Sequence, residues 1–121
     1  RQSIQEIYHL DADVVVVQDR GRMLRIPVAD VLYFKAEQKA VTLHTATEVH
    51  PVSESLTELE SRVGARFIRV HRNALVARDR IERLQRTPLG HFQLYLKGLN
   101  GDALVVSRRH VAGVRKMMQQ L

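Results

Sequence analysis

The most informative stretch of the sequence runs Phe67-Ile68-Arg69-Val70-His71-Arg72-Asn73-Ala74-Leu75-Val76. Its apolar residues are expected to pin a short segment to the core, which leaves the polar residues between them available for recognition. Arg and Asn carry the donors and acceptors that match guanine and adenine edges in the DNA major groove. Arg72 and Asn73 are therefore candidate base-reading residues. For Arg69 and His71, hydrogen bonds that tie the segment to the backbone are the alternative role.

Positive charge is concentrated in the second half of the chain. Residues 1–61 hold 6 Lys and Arg against 10 Asp and Glu, a net charge of −4, whereas residues 62–121 hold 13 against 3, a net charge of +10. Eleven of those 13 residues are Arg, whose planar guanidinium suits phosphate oxygens and guanine edges. A polyanionic partner is indicated. The alternative is a solvated basic surface with no partner.

Length and composition exclude several classes of protein. A chain of 121 residues with 45% apolar residues has the size of one folded domain. The sequence has no Cys, which excludes disulfides and thiolate sites and is compatible with a reducing cytoplasm. The longest apolar runs, such as Val14–Val17, are far shorter than the roughly 20 residues of a membrane-spanning helix. We expect a cytoplasmic domain over residues 13–121, preceded by a linker remnant over residues 1–12.

The sequence lacks the usual patterns of an enzyme or a metalloprotein. The six His are scattered, and none has the close helical spacing of a metal pair. The six Gly are widely separated, so they form no phosphate-binding loop. We therefore expect no enzymatic activity, no metal and no cofactor.

Periodicity predicts a mainly β fold with two short helices. The predicted strands are Val14–Val17, Met23–Pro27, Val31–Phe34, Val41–Thr45, Ile81–Arg86, His91–Leu96 and Leu104–Val106. Residues 35–40 form a polar connection of hairpin length, and Asn100-Gly101-Asp102 forms a turn.

Two stretches carry helix signals. A capping box at Ser55 and Glu58 starts one helix, whose apolar residues Leu56, Leu59 and Val63 precede Gly64. Ser107 is expected to cap a second helix with Val111, Val114 and Met118 on its apolar face. Gly113 costs that helix about 1 kcal/mol relative to Ala, which predicts a short or frayed helix.

Three blocks of sequence, in this order, resemble the LytTR-type output domains of bacterial response regulators. They are Val31-Leu32-Tyr33-Phe34-Lys35-Ala36, the stretch from Phe67 to Val76, and Ser107-Arg108-Arg109-His110-Val111. The resemblance covers nearly the whole domain. It implies an elongated β–β–β arrangement of small antiparallel sheets, and it implies that loops rather than a recognition helix enter successive major grooves.

The resemblance also implies three regions of DNA contact. They map onto the loop from Lys39 to Val41, onto Arg72 and Asn73, and onto Arg108 and Arg109. Val41 stands where some relatives place a base-reading polar residue, so Lys39 is the candidate in the first region, as a phosphate contact. Arg72, Asn73, Arg108 and Arg109 are the base-reading candidates.

The second half offers further phosphate contacts. In the first turn of a helix capped by Ser107, backbone N–H groups and the helix dipole favour a phosphate near His110. The alternative is an exposed helix start with no ligand. Arg78 and Arg80 belong to a basic ladder and are also candidate phosphate contacts, although nearby Asp79 and Glu82 allow surface ion pairs instead.

The predicted partner is double-stranded DNA, bound by two copies of the domain at repeated half-sites. The resemblance further implies a phosphoacceptor receiver domain in the same full-length chain. Two alternatives stay open: an RNA-binding module, and a domain whose Arg-rich face binds an acidic protein. The aromatic residues of the basic half are Phe67, Phe92 and Tyr95, which are too few for a base-stacking platform.

The charge distribution predicts that affinity for duplex DNA falls steeply with salt. Each neutralised phosphate releases condensed counterions, so about four to six contacts should give a slope of about −4 to −5 in log K against log salt concentration. Fluorescence anisotropy over a salt series measures the slope. A flat dependence would contradict the electrostatic argument.

Overall fold

The computed structural model describes residues 13–120 of the chain. In that range the elements are β1 Val14–Asp19, β2 Arg22–Pro27, β3 Tyr33–Glu37, β4 Ala40–His44, β5 Val49–Val52, α1 Leu56–Val63, β6 Phe67–His71, β7 Ala74–Ala77, β8 Ile81–Arg86, β9 Phe92–Leu96, β10 Ala103–Val106 and α2 Arg108–Gln119. The predicted mainly β fold with two helices is confirmed. The predicted linker remnant, residues 1–12, lies outside the described residues.

The strands pair into small antiparallel sheets, as predicted. One sheet has five strands in the order β5-β4-β3-β7-β6, another has three in the order β10-β9-β8, and β1 pairs with β2 as a hairpin. β3 lies at the centre of the five-stranded sheet, between β4 and β7. Strand β3 is therefore hydrogen-bonded to a neighbouring strand on each side.

Two hydrophobic cores lie on opposite faces of the five-stranded sheet. Phe34 and Leu75 point into the first core, which is closed by β1, β2 and α1. Tyr33 and Val76 point into the second core, which is closed by the three-stranded sheet and α2. Side chains alternate between the faces of a strand, so neighbouring apolar residues serve different cores. This explains why the central strands read as continuous apolar runs.

Helix α1 begins and ends as the sequence predicts. The backbone N–H of Glu58 donates to Ser55 Oγ at 3.1 Å, and the backbone N–H of Ser55 donates to Glu58 Oε1 at 2.8 Å. These two bonds form the predicted capping box. The helix ends at Gly64, whose φ of 55° is a conformation that glycine adopts at no steric cost.

Helix α2 is longer than predicted. It runs without interruption for 12 residues, and Val111, Val114 and Met117 are buried along it. The prediction of a short or frayed helix was wrong because this buried face outweighs the cost of Gly113, which is exposed. The Ser107 side chain makes no hydrogen bond to the backbone of the first turn, contrary to its predicted capping role.

Several strand predictions were wrong in extent. Residues 35–37 continue β3, so the predicted polar connection shrinks to the two-residue turn at Gln38 and Lys39. Strands β5, β6 and β7 were not predicted as strands. β5 carries Pro51, which suits the edge position it occupies but weakens its strand signal. The stretch from Phe67 to Val76 is therefore a hairpin rather than a pinned loop.

A buried histidine joins the β1–β2 hairpin to the five-stranded sheet. His50 of β5 bonds through Nδ1 to Asp19 Oδ2 at 2.9 Å and through Nε2 to Glu48 Oε1 at 3.0 Å. Carboxylates only accept hydrogen bonds, so both ring nitrogens must carry a proton. The bonds to Asp19 and then to Glu48 raise the pKa of His50 above its usual value of 6.5.

We expect Phe67→Ala to lower the free energy of unfolding by about 3–5 kcal/mol, because truncation of a buried ring leaves a cavity. Phe67 is 3% exposed, and its ring centroid lies 5.5 Å from that of Phe34. Urea denaturation measures the change. Leu89→Ala is the control, since Leu89 is 86% exposed and its truncation should cost no more than about 0.5 kcal/mol. An unchanged midpoint for Phe67→Ala would contradict its place in the core.

We expect the stabilising effect of His50 to disappear as the pH rises. Its pKa is raised in the folded state, so its contribution is complete below about 6.5 and is lost as the pH rises through the folded-state pKa. The measurement is the difference in unfolding free energy between the unsubstituted chain and His50→Gln, taken at several pH values. This difference should shrink towards alkaline pH, and a constant difference would count against the protonated bridge.

Candidate nucleic-acid interface

The β3–β4 turn presents two polar side chains at its tip. Glu37 pairs with Ala40, so Gln38 and Lys39 alone make the connection. Both have positive φ, 50° and 68°, as in the two-residue turns whose twist matches that of their strands. Both residues are exposed. Lys39 therefore extends from the end of the sheet, as a phosphate contact requires.

The β6–β7 turn consists of Arg72 and Asn73. Hydrogen bonds with the side chains of Arg69 and His71, in the preceding strand, hold it in place. Arg69 donates from Nε to the carbonyl of His71 at 3.2 Å and from Nη2 to the carbonyl of Arg72 at 2.9 Å. Its Nη1 binds Glu60 Oε1 at 2.6 Å. The backbone N–H of Asn73 donates to His71 Nδ1 at 3.1 Å. Arg69 and His71 thus have the structural role that the sequence left open.

The two turns lie side by side at one end of the five-stranded sheet, where β3 ends and β7 begins. β3 and β7 run antiparallel with Lys35 opposite Ala74, and the backbone N–H of Ala36 donates to the carbonyl of Asn73 at 2.9 Å. The end of β3 therefore meets the start of β7. This pairing brings Lys39 and Asn73 together, although they are far apart in the sequence.

The start of α2 lies at the same end of the sheet. β6 is an edge strand, and its Val70 carbonyl accepts a hydrogen bond from the backbone N–H of Ser107 at 2.9 Å. This bond fixes the end of β10 beside the β6–β7 turn. Arg108 and Arg109 follow directly and are exposed.

His110 is half-buried beneath these arginines. Its Nδ1 lies 2.5 Å from Ser107 Oγ. Burial, followed by the charges of Arg109, Arg69 and His71, lowers the pKa of His110 below its usual value of 6.5. In the free domain, the lowered pKa favours the neutral ring at pH 7.

The exposed cations of this edge have no carboxylate partners. Within residues 13–120, Lys39, Arg72, Arg108 and Arg109 form no ion pair, whereas Arg69 is paired with Glu60. These four side chains therefore carry positive charges that no carboxylate within residues 13–120 neutralises, and the amide of Asn73 lies among them. We call this set (Lys39, Arg72, Asn73, Arg108, Arg109 and His110) the turn edge. It is suited to a polyanion.

Comparison with known proteins agrees with this geometry. Residues 21–119 match the sequence profile of the LytTr DNA-binding domain. The chain belongs to the LytTR family of DNA-binding domains. The family assigns DNA as the ligand of this domain, and the resemblance predicted from the three sequence blocks is confirmed.

Several relatives of this LytTR domain are transcriptional regulators by description. It is 66% identical over 96 residues to the positive alginate biosynthesis regulatory protein of Pseudomonas aeruginosa, a match of 79% of this chain and 39% of that protein. The three blocks also predict a particular likeness to the alginate regulator of pseudomonads, which this match confirms. An uncharacterised HTH-type transcriptional regulator of Staphylococcus aureus is 30% identical over 93 residues, 77% of this chain and 62% of that protein. The chain thus spans less than two thirds of these relatives.

The fold of the LytTR domain is shared with a solved structure. A LytTr DNA-binding domain from Bacillus cereus superimposes with a TM-score of 0.78, covering 88% of this chain and 96% of that one. Sequence identity is 24%, so this match bears on the fold alone. It confirms the predicted LytTR-like arrangement of sheets.

Two other predicted phosphate contacts lie away from the turn edge. Arg78 and Arg80 follow β7 at its opposite end, about 13 Å away for a four-residue strand. Arg78 Nε donates to the carbonyl of Phe67 at 3.2 Å, and Arg80 Nη2 donates to the carbonyl of Ala29 at 3.0 Å. Their contact with phosphate stays a prediction, and it concerns a different surface.

The first contact region of this LytTR domain differs from the expectation at one residue. Val41 lies within β4, opposite Ala36, and packs against the first core. Gln38, which the sequence pattern does not single out, shares the turn with Lys39. A turn of Gln and Lys lacks the Asn-Gly or Asp-Gly signal by which such hairpins are recognised, so only the pairing of β3 with β4 reveals it.

No group of three or more His, Cys, Asp or Glu within residues 13–120 is placed to hold a metal ion. No helix in that range is long and apolar enough to cross a membrane.

Proposed function

We propose that this domain binds double-stranded DNA sequence-specifically, by inserting the turn edge into the major groove. The proposal rests on one observation. Two hairpin turns and the start of α2, from three separate parts of the sequence, converge at one end of the sheet and present cations that have no carboxylate partner among residues 13–120. Membership of the LytTR family supports DNA as the ligand.

The dimensions of the turns support entry into the groove. Neighbouring strands lie about 4.8 Å apart, and the major groove of B-DNA is about 12 Å wide. A two-residue turn therefore fits with its side chains directed at base edges. The bonds from Arg69 hold the β6–β7 turn before binding, which reduces the entropy lost when DNA is bound.

The side chains of the turn edge divide into two roles. Arg72, Arg108 and Arg109 suit the O6 and N7 acceptors of guanine, and the amide of Asn73 suits adenine. Lys39 and His110 hold phosphate oxygens, His110 as a neutral donor through Nε2. We propose Arg78 and Arg80 as phosphate contacts outside the turn edge, at the far end of β7, where their guanidinium groups are also bonded to backbone carbonyls.

The full-length context is part of the proposal. We infer that the domain is the output domain of a two-component response regulator, that a receiver domain is joined to it in the same chain, and that residues 1–12 belong to the linker before a domain over residues 13–121. Two copies would bind repeated half-sites in promoter DNA, in the cytoplasm. The similarity to the alginate regulator favours a role in alginate biosynthesis. We assign the domain no enzymatic activity.

Selection of bound duplexes from a random pool tests the proposal. A shared motif among the selected sequences is expected, and the best duplex then serves as the cognate site. Structured RNA competes at the same salt concentration in a parallel reaction. Stronger competition by RNA, or a pool without any motif, would contradict sequence-specific binding of duplex DNA.

We expect Arg109→Ala to weaken binding to the cognate duplex by about 1–3 kcal/mol and to relax preference at one base pair, because a bidentate contact to guanine is lost. Binding to a scrambled duplex should fall much less. Equal losses on both duplexes would make Arg109 a phosphate contact, and base reading would move to Arg72 or Arg108.

Arg80→Ala is the matched control. We expect it to weaken binding to the cognate and scrambled duplexes about equally and to lower the salt slope by about one unit, because a phosphate contact is lost. An unchanged slope would place Arg80 outside the footprint. Melting curves check that both variants are folded.

A further inference from the structure

The ring of Phe92 is covered by two guanidinium groups from different elements. Arg86 of β8 places Cζ 5.9 Å from the ring centroid, and Arg115 of α2 places Cζ 5.3 Å from it. Both distances are within the range of about 6 Å over which a cation is attracted to an aromatic face. Within residues 13–120 neither arginine has a carboxylate partner. We call Arg86 and Arg115, which share the ring of Phe92, the arginine pair.

The strand register places this pair next to the turn edge. Arg86 lies opposite Phe92, and Phe92 lies opposite Val106, at one end of the three-stranded sheet. The chain continues from Val106 into Ser107, which is bonded to Val70 beside the β6–β7 turn. The arginine pair therefore flanks the residues that we propose to read bases.

The segments that carry the arginine pair contain no acidic residues. Residues 83–101 contain no Asp or Glu, and neither does α2. Two guanidinium groups held on one ring repel each other when no carboxylate lies between them. An anion bound by both groups removes that repulsion, and the planar guanidinium matches the oxygens of a phosphate.

We propose that Arg86 and Arg115, oriented by Phe92, form a phosphate clamp that extends the DNA footprint beyond the turn edge. The inference rests on the proposed function, since it assumes that the turn edge faces DNA. The clamp holds the DNA backbone and reads no base. Its ligand is a phosphate flanking the site that the turns recognise.

The same sheet contains a matched control. Arg83 places Cζ 4.0 Å from the ring centroid of Tyr95, which lies opposite it in β9. Tyr95 and Phe92 are three residues apart in the same strand, so their side chains point to opposite faces of the sheet. Arg83 thus has the same charge as Arg86 and the same kind of contact with an aromatic ring. It differs in that it faces away from α2 and no second arginine contacts the ring of Tyr95 within residues 13–120.

The experiment compares Arg86→Gln, Arg115→Gln, their combination and Arg83→Gln in the 121-residue chain. Gln keeps most of the length of the side chain and removes the charge. Each of the first two should weaken binding to cognate and scrambled duplexes equally, by about three- to ten-fold at moderate salt, and should lower the salt slope by about one unit. The double variant should also lower the slope by about one unit, because both arginines hold the same phosphate. Arg83→Gln should leave the slope unchanged.

Two results would overturn the clamp. One is an unchanged salt slope for Arg86→Gln and Arg115→Gln, with melting temperatures close to that of the unsubstituted chain. The other is an equal fall for Arg83→Gln, which would show a general effect of net charge. In either case a selective loss of cognate binding in Arg109→Ala would leave the proposed function intact, whereas a chain without preference for any duplex would remove both.

Phe92→Leu gives a further readout. It keeps an apolar side chain but removes the ring that orients the two guanidinium groups. We expect a smaller loss of affinity than in the double variant, with both charges still present. An unchanged affinity, in a folded protein, would show that the ring does not orient the two arginines.

Discussion

The pairing of β3 with β7 is the contact on which the rest of the structure depends. It joins residues 33–35 to residues 74–76, which are about 40 positions apart along the chain. Closing such a long loop costs conformational entropy, which burial on both sides of the paired strands must repay. Phe34 and Leu75 contribute to one core and Tyr33 and Val76 to the other. One strand pair therefore anchors both layers that cover the sheet.

The same pairing determines where the proposed function lies. Antiparallel strands in register bring the end of β3 to the start of β7, so the turn after β3 meets the turn before β7. The hydrogen bond from Ala36 to Asn73 fixes their relation. α2 joins them because β6, at the edge of the sheet, has a free carbonyl at Val70 for Ser107. The turn edge thus follows from backbone pairing, and its side chains need no contacts with one another.

Ion pairing distinguishes the arginines around α1 from those of the turn edge. Arg62 is paired with Glu54, Arg66 with Asp13 and Arg69 with Glu60. These pairs lie around α1, and Arg69 among them holds the β6–β7 turn. The exposed arginines at the turn edge and beside Phe92 have no such partners within residues 13–120. Their mutual repulsion lowers the stability of the free domain. A bound polyanion neutralises these charges and removes the repulsion, which favours binding.

The sequence by itself determined the class of fold, the capping box of α1 and the polyanionic character of the ligand. Those properties depend on local patterns and on composition, which need no knowledge of distant contacts. The base-reading candidates Arg72, Asn73, Arg108 and Arg109 also came from the sequence, through local chemistry and a resemblance to a family.

Which of the basic residues lie together depends on strand pairing and helix packing. Arg78 and Arg80 stand in the same basic half as Arg72, yet the direction of β7 carries them to the other end of the sheet. Gln38 and the arginine pair at Phe92 have no distinctive local pattern, and strand register alone brings them to the turn edge. Charge and propensity are properties of single residues and short windows, whereas the convergence of two turns and a helix start depends on hydrogen bonds between strands that are remote in the chain.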